Sequence, residues 1–271
     1  MAFAKDMLNN TFRTTEQAEE QLGLTCLGLE PLLPKNKNEA PPAEKYLRDT
    51  RSVFAESINT IRTGLVFSNI DNPPQTLLVT SANSEEGKST LAINLASAYS
   101  QIGRTLILEV DLRKPSLANY LGLKEQVGLS DLLTGHSTIS EVLAKPYAPN
   151  LFAIKAGMAA HNPLETISSE KFSQLLTQLK QHFDHILLDC APVLPVSDAG
   201  ALGSKVDGVI FAVRAEKTSI RAAKEAVTRL KRLNVNVVGS VLTLAEPQKM
   251  SAYGDHYYVA EYYGSKTPEP A

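Results

Sequence analysis

An apolar run, Thr76 to Val79, enters the stretch T-S-A-N-S-E-E-G-K-S-T (Thr80–Thr90), and a helical pattern, Leu91 to Ile102, leaves it. Strand, tight loop carrying Gly-Lys-Ser, helix is the layout of a phosphate-binding loop. Backbone N–H groups and the positive end of the following helix face phosphate oxygens. Gly87 lets the backbone come close, Lys88 reaches the outer phosphates, and the Ser89 hydroxyl can ligate Mg²⁺. The pattern departs from the usual one at Ala82, six residues before the lysine, where glycine is common. Glu85 and Glu86 also put two carboxylates beside the polyanion. Taken alone, the stretch has a blander reading as an ordinary strand-to-helix turn with a surface lysine, which its chemistry favours less.

From Gln75 onward strand and helix alternate. Strands are expected near Thr76–Ser81, Thr105–Val110, Leu151–Ala156, His185–Asp189, Val206–Val213 and Val235–Leu244. Helices are expected near Lys88–Ile102, Ser130–Thr134, Ile139–Lys145, Ser168–His182, Ser197–Gly203 and Ser219–Leu233. The strands are short and mostly apolar, as strands covered on both faces are. This alternation predicts an α/β fold with a doubly wound, mostly parallel sheet and a ligand at the carboxyl ends of its strands. Upstream, Thr14 or Thr15 can cap a helix through Gln21 that Gly23 ends, and Leu24–Leu29 reads as a short strand. Lys35 to Lys45 is polar with adjacent prolines and reads as a linker. A helix over Tyr46–Phe67 follows. Residues 1–45 are therefore expected to form an extension and linker, 46–245 the main domain, and 246–271 a flexible, disordered, tyrosine-rich tail.

The chain has 271 residues and a formal net charge of -2, so no basic excess points to nucleic acid. Its apolar runs fall short of the ~20 residues of a membrane span, and no secretory h-region follows Met1. Two cysteines, Cys26 and Cys190, cannot build a disulfide framework, which makes a reducing cytoplasm the default.

Two acidic motifs sit at strand ends. E-V-D-L-R-K-P places Glu109 and Asp111 two residues apart, on one face if the strand continues that far. D-C-A-P places Asp189 at the end of a buried strand. Such carboxylates hold nucleotide-bound Mg²⁺, directly or through water; singly, each could as well cap the next turn. Arg113 reads as a surface cation, a partner for an acid, or a stabiliser of phosphoryl charge.

Together these segments resemble the bacterial tyrosine kinases, P-loop NTPase-type enzymes that control exopolysaccharide and capsule export. S-E-E-G-K-S-T resembles their phosphate loop, L-I-L-E-V-D-L-R their alternate Walker A motif, and I-L-L-D-C-A-P their Walker B motif. V-L-P-V-S-D-A (Val193–Ala199) is also similar. So is T-F-R-T-T-E-Q-A-E-E-Q-L-G-L-T-C-L-G, to the stretch after the second membrane helix of fused polymerase-plus-kinase proteins. The resemblance implies an ATP- and Mg²⁺-dependent tyrosine kinase. Ser84, Glu85, Glu86, Gly87, Lys88, Ser89 and Thr90 would cradle the phosphates. Ser89, Glu109 and Asp189 would serve the metal. Lys88, Asp111 and Arg113 would be catalytic, with Asp111 accepting the tyrosine proton. Five of nine tyrosines, Tyr253, Tyr257, Tyr258, Tyr262 and Tyr263, crowd the tail. They would be autophosphorylation sites, reached in trans; a docking tail that orders on a partner is the other reading.

The resemblance further implies a ring-like homo-oligomer, with Glu56 and Arg62 as contacts. The family run Glu-x-x-Arg-x-x-Arg stands here as E-S-I-N-T-I-R, so Asn59 removes one charged contact. Ser84-Glu85 replaces Pro-Gly, Glu109 replaces Asp, and Leu242-Thr243 replaces Leu-Asn. Expected partners are a membrane-embedded co-polymerase segment or subunit and a tyrosine phosphatase, at the inner face of the bacterial inner membrane as part of a longer protein. Two rivals stand beside this reading. One is a partition- or septum-type ATPase, which usually carries a second lysine that Thr80 to Glu86 lacks. The other is a non-catalytic scaffold of an export complex.

Overall fold

The computed structural model of the chain describes residues 10–32, 42–123, 127–158, 161–246 and 249. Seven strands are β1 (Cys26–Pro31), β2 (Thr76–Ser81), β3 (Thr105–Glu109), β4 (Leu151–Ile154), β5 (His185–Asp189), β6 (Gly208–Arg214) and β7 (Val237–Ala245). They form one sheet in the order β1-β7-β6-β2-β5-β3-β4, every pairing parallel. The expected doubly wound α/β architecture is therefore present.

Period-two alternation sorts the strand side chains into two cores. Along β2, Leu77 and Val79 join one core and Leu78 the other. The first core lies under α3 (Val53–Phe67) and α4 (Lys88–Tyr99), through Phe54, Ile58, Ile61, Leu91 and Leu95. The second lies under α1 (Thr15–Leu22), α9 (Glu170–Lys180), α10 (Asp198–Gly203) and α11 (Ile220–Arg232). With both faces covered, β2 has six buried residues out of six. Its centre, Leu77–Val79, is accordingly apolar, and the residues that flank it, Thr76, Thr80 and Ser81, are small hydroxyl residues.

The N-terminal segment is part of this sheet. Thr14 accepts from the Gln17 amide to start α1, and Gly23, at φ 58, ends it. β1 then pairs with β7 at the sheet edge. Gly28 allows α3 to lie close, since a Cβ there would sit 3.2 Å from Ile61.

Element boundaries differ from expectation where polar residues bond their own backbone. The helix expected over Tyr46–Phe67 is two, α2 (Pro42–Arg48) and α3. Between them Asp49 accepts from the Arg51 amide, and Ser52 caps α3 by accepting from the Ala55 amide. α2 also begins inside the expected linker, whose residues 35–41 lie outside the described ones. Ser169 likewise divides Ser168–His182, ending α8 (Pro163–Ser168) and capping α9. A short helix, α5 (Leu117–Leu121), follows β3 where none was expected. The remaining short helices are α6 (Leu129–Thr134) and α7 (Ile139–Val142). Among the described residues no helix is long and apolar enough to cross a membrane.

Glu30 on β1 is fully buried, and neither carboxylate oxygen has a hydrogen-bond partner among the described residues. Burial pushes its pKa from 4.5 up to about 8. The unfolded chain thus ionises at lower pH than the folded one. Stability is greatest below the unfolded value and falls as pH rises towards 8, above which the loss is constant. Glu30→Gln is expected to flatten that slope and to raise the denaturation midpoint at pH 8. An unchanged pH profile by urea denaturation would refute this.

Candidate functional site

The carboxyl ends of β2, β3 and β5 open onto a cleft of about 350 Å³, lined by Ser84, Glu85, Gly87, Lys88, Ser89, Thr90, Asp111, Arg113, Lys114, Ser116 and Tyr120, with the Ala191–Val196 turn as its far wall. Parallel strands all deliver their ends to one edge, so residues distant in sequence meet there. Val79 stands in register with Asp189, and Asp189 with Glu109.

The loop between β2 and α4 is braced from the neighbouring strands. Gly87 has φ 82 and caps α4; a Cβ on it would lie 3.0 Å from Thr243. The Thr243 hydroxyl donates to the Glu86 carbonyl at 2.7 Å, and Arg214 donates to the Glu85 carbonyl at 2.9 Å. The amides of the first turn of α4 have no intrahelical acceptor and are left to a ligand. The sequence singles out Thr243 only as standing in place of a family Asn and Arg214 not at all, and neither was expected to brace this loop. No local signal marks them, because only sheet order brings β6 and β7 beside the loop.

The Glu86 side chain is engaged within the protein. It is 3% exposed, and its carboxylate accepts from the Asn83 amide at 2.9 Å and the Thr218 hydroxyl at 2.7 Å. It is a brace within the loop and does not line the cleft. Glu85 remains in the cleft and adopts φ 63. A left-handed conformation disfavours a residue with a Cβ by roughly 1–2 kcal/mol. Glu85→Gly is expected to raise the melting temperature by a few degrees and to tighten nucleotide binding. A fall in both would contradict it.

At the inner end, Ser89 lies beside the Asp189 carboxylate and accepts from the Ser116 hydroxyl at 3.2 Å. Asp189 is 2% exposed, and its Oδ1 has no hydrogen-bond partner among the described residues. Burial pushes its pKa up to about 7, against the pull of Ser89 and Lys88. A buried carboxylate oxygen with no partner, beside a hydroxyl and a lysine, fits a Mg²⁺ that takes one carboxylate, one hydroxyl, phosphate oxygens and water. Among the described residues no cluster of three His, Cys, Asp or Glu side chains could hold a metal alone. The phosphates would thus have to complete the shell.

Glu109 is turned away from that task. Its carboxylate accepts from three amides: Ser116 and Leu117 at the start of α5, and Ala156 at 2.9 Å after β4. Burial raises its pKa while those bonds oppose the rise. Glu109 closes the loops around the cleft, and both of its oxygens are engaged there. β3 ends at Glu109, so Asp111 is no longer on the strand. The amides of Arg113 and Lys114 hold Asp111 Oδ1 at 3.1 and 3.0 Å. The Arg113 guanidinium forks onto both oxygens of fully buried Asp198, at 2.9 and 3.1 Å. It thus orients the Val193–Ala199 segment; only its main chain positions Asp111.

A family model described as an AAA domain matches residues 82–241. CapB of Staphylococcus aureus is 34% identical over 84% of this chain and 99% of its own length. The tyrosine-protein kinase wzc of Salmonella typhi is 31% identical over 76% of this chain, which spans only 29% of wzc. The solved kinase domain of the Escherichia coli tyrosine kinase ETK superimposes with a TM-score of 0.78 at 25% identity, covering 87% of this chain and 95% of that one. The chain belongs to the bacterial tyrosine kinase family.

Within that family's expected ring-contact run, Glu56 is exposed on α3. Arg62, however, donates to the Ala98 carbonyl at 2.6 Å at the end of α4. Asn59, standing for a family arginine, accepts from the Tyr46 hydroxyl at 2.9 Å. Both are engaged within the chain. The bacterial tyrosine kinase tail, with Tyr253, Tyr257, Tyr258, Tyr262 and Tyr263, lies outside the described residues.

Proposed function

We propose that the chain is an ATP- and Mg²⁺-dependent protein tyrosine kinase that phosphorylates its own C-terminal tyrosines, in trans between subunits, and so regulates exopolysaccharide polymerisation and export. The convergence of Lys88, Ser89, Asp111 and the unpartnered Asp189 oxygen on one cleft carries this reading.

The residues supply positioning and charge, which is most of what phosphoryl transfer asks of a protein. The loop amides and Lys88 hold the β- and γ-phosphates. Asp189 and Ser89 would hold Mg²⁺, whose contribution is to neutralise charge on those phosphates. Asp111, pinned through one oxygen, keeps the other for the proton of the incoming hydroxyl. Tyrosine ionises near 10, so this carboxylate assists a late deprotonation and need not ionise the phenol beforehand. Arg113 keeps Asp198 and the Pro192–Val196 wall in place. Other copies of the chain, a membrane-embedded co-polymerase segment or subunit and a tyrosine phosphatase are the proposed partners, at the inner face of the inner membrane.

Incubation with Mg²⁺ and ATP followed by mass spectrometry is expected to find phosphate on residues 253–263. Release of free phosphate without phosphotyrosine would instead support a partition-type ATPase, and neither product a scaffold. Mixing a tail-deleted active subunit with a Lys88→Met subunit that carries the tail tests transfer in trans: tail phosphorylation must appear.

A further inference from the structure

α11 separates its residues by charge. Ala223, Ala226, Val227 and Leu230 are buried against the sheet, while Arg221, Lys224, Lys231 and Arg232, at spacings that share one side, are exposed. Glu225 is the one acid of the helix, in a chain of formal net charge -2. Arg221, Lys231 and Arg232 have no hydrogen bond or ion pair with the described residues. Lys224 donates to Gln21 of α1 at 2.7 Å, but uncompensated like charges repel one another, so Arg221, Lys231 and Arg232 add no pairing to the fold.

Beside the end of this helix lies a groove of about 520 Å³ walled by Leu164, Val193, Val196 and Leu233, with Arg229 and Arg232 in its lining. Leu233 is 51% exposed. Apolar walls with guanidinium groups suit an aromatic ring that carries phosphate. Lys249, where the described chain ends, pairs with Glu216 at 2.8 Å, four residues before the first turn of α11. The described chain therefore ends beside the residues that lead into α11. Residues 250–271 can span up to about 70 Å, whereas the 13 residues of α11 are about 20 Å long. They hold five tyrosines together with Asp255, Glu261 and Glu269, and each phosphate adds about two negative charges.

We propose that the phosphorylated C-terminal segment docks, in cis, on the cationic face of α11 and the adjoining apolar groove. Its phosphates face Arg221, Lys231 and Arg232, and a ring enters beside Leu233. The inference rests on the tyrosine-kinase reading only for the origin of the phosphate. A synthetic probe therefore separates the failure of one from the failure of the other.

The probe is a fluorescent peptide of residues 250–266, made with phosphotyrosine at all five positions or at none, titrated with the full dephosphorylated chain without ATP and read by anisotropy. The phosphopeptide is expected to bind at least tenfold tighter than its unmodified twin. The triple variant Arg221→Ala, Lys231→Ala, Arg232→Ala should lose at least tenfold. Glu225→Lys should tighten binding severalfold, a gain that misfolding cannot mimic. A full chain carrying phosphotyrosines installed by peptide ligation should resist the free probe at concentrations where it sediments as a monomer. Equal affinity for both peptides, indifference to the triple variant, or equal displacement by polyglutamate or phosphatidylglycerol vesicles would overturn the proposal. So would resistance that appears only on self-association.

Discussion

Lys88→Met is expected to lower tail phosphorylation by about a thousandfold or more while leaving the fold intact, as removal of a preorganised charge from a transition state commonly does. Lys88 is 8% exposed at the start of α4 and lines the cleft, and methionine replaces its stem at similar volume, so the packing loss is small. A second consequence separates this lysine from a passive one. Its charge helps hold the Asp189 carboxylate down, against the burial that raises it to about 7. Without the cation, Asp189 should ionise only at higher pH. Because a proton and a metal compete for the same oxygens, Mg²⁺-dependent nucleotide binding should then weaken as pH falls from a higher starting point than in the wild type. Fluorescent nucleotide titrations from pH 6 to 9, alongside phosphotyrosine yield, measure both. A variant that keeps a tenth of the wild-type transfer rate, or an unmoved pH limb, would contradict the role assigned to Lys88.

The second large effect concerns stability. Glu109→Ala is expected to destabilise the chain by about 3–5 kcal/mol, since three amides with one shared acceptor lose it and each unsatisfied buried group costs roughly 1–3 kcal/mol. Set against a total of about 5–15 kcal/mol for a folded domain, that is enough to shift a denaturation midpoint plainly. Glu109→Gln keeps one carbonyl oxygen and should lose much less. Were Glu109 instead a metal ligand, both variants would keep their stability and raise the Mg²⁺ requirement together. Urea denaturation and Mg²⁺ titration on the same preparations distinguish the two outcomes: near-wild-type midpoints with a raised Mg²⁺ requirement would restore the metal role.

Glu85→Gly and Glu109→Ala together illustrate how far the motif could be read without coordinates. Ser84 to Thr90 was legible as a phosphate loop because its chemistry is local: the strand, the glycine, the lysine and the helix start are consecutive. The same holds for Asp189 at the end of an apolar run. The orientation of a carboxylate is not local. Glu86 and Glu109 carry the same charge as Glu85 and Asp111 and sit within two residues of them. What turns the first pair inward is the set of donors that other elements present, namely Thr218 before α11 and the amides that open α5 and follow β4.

By itself the sequence determined the alternation of strand and helix, the parallel sheet, a helix capped at Thr14 or Thr15 and ended by Gly23, and the glycine-lysine-serine loop between β2 and α4. Each depends on residues within a few positions of one another, whose periodicity and backbone preferences need no distant partner. Only the tertiary structure decided that β1 joins the main sheet, that Thr243 and Arg214 brace the loop, that Arg113 answers to Asp198, and which acids face the cleft. Those outcomes follow from strand order and from where buried donors meet acceptors, and a pairing across a hundred residues leaves no trace in the spacing of either partner.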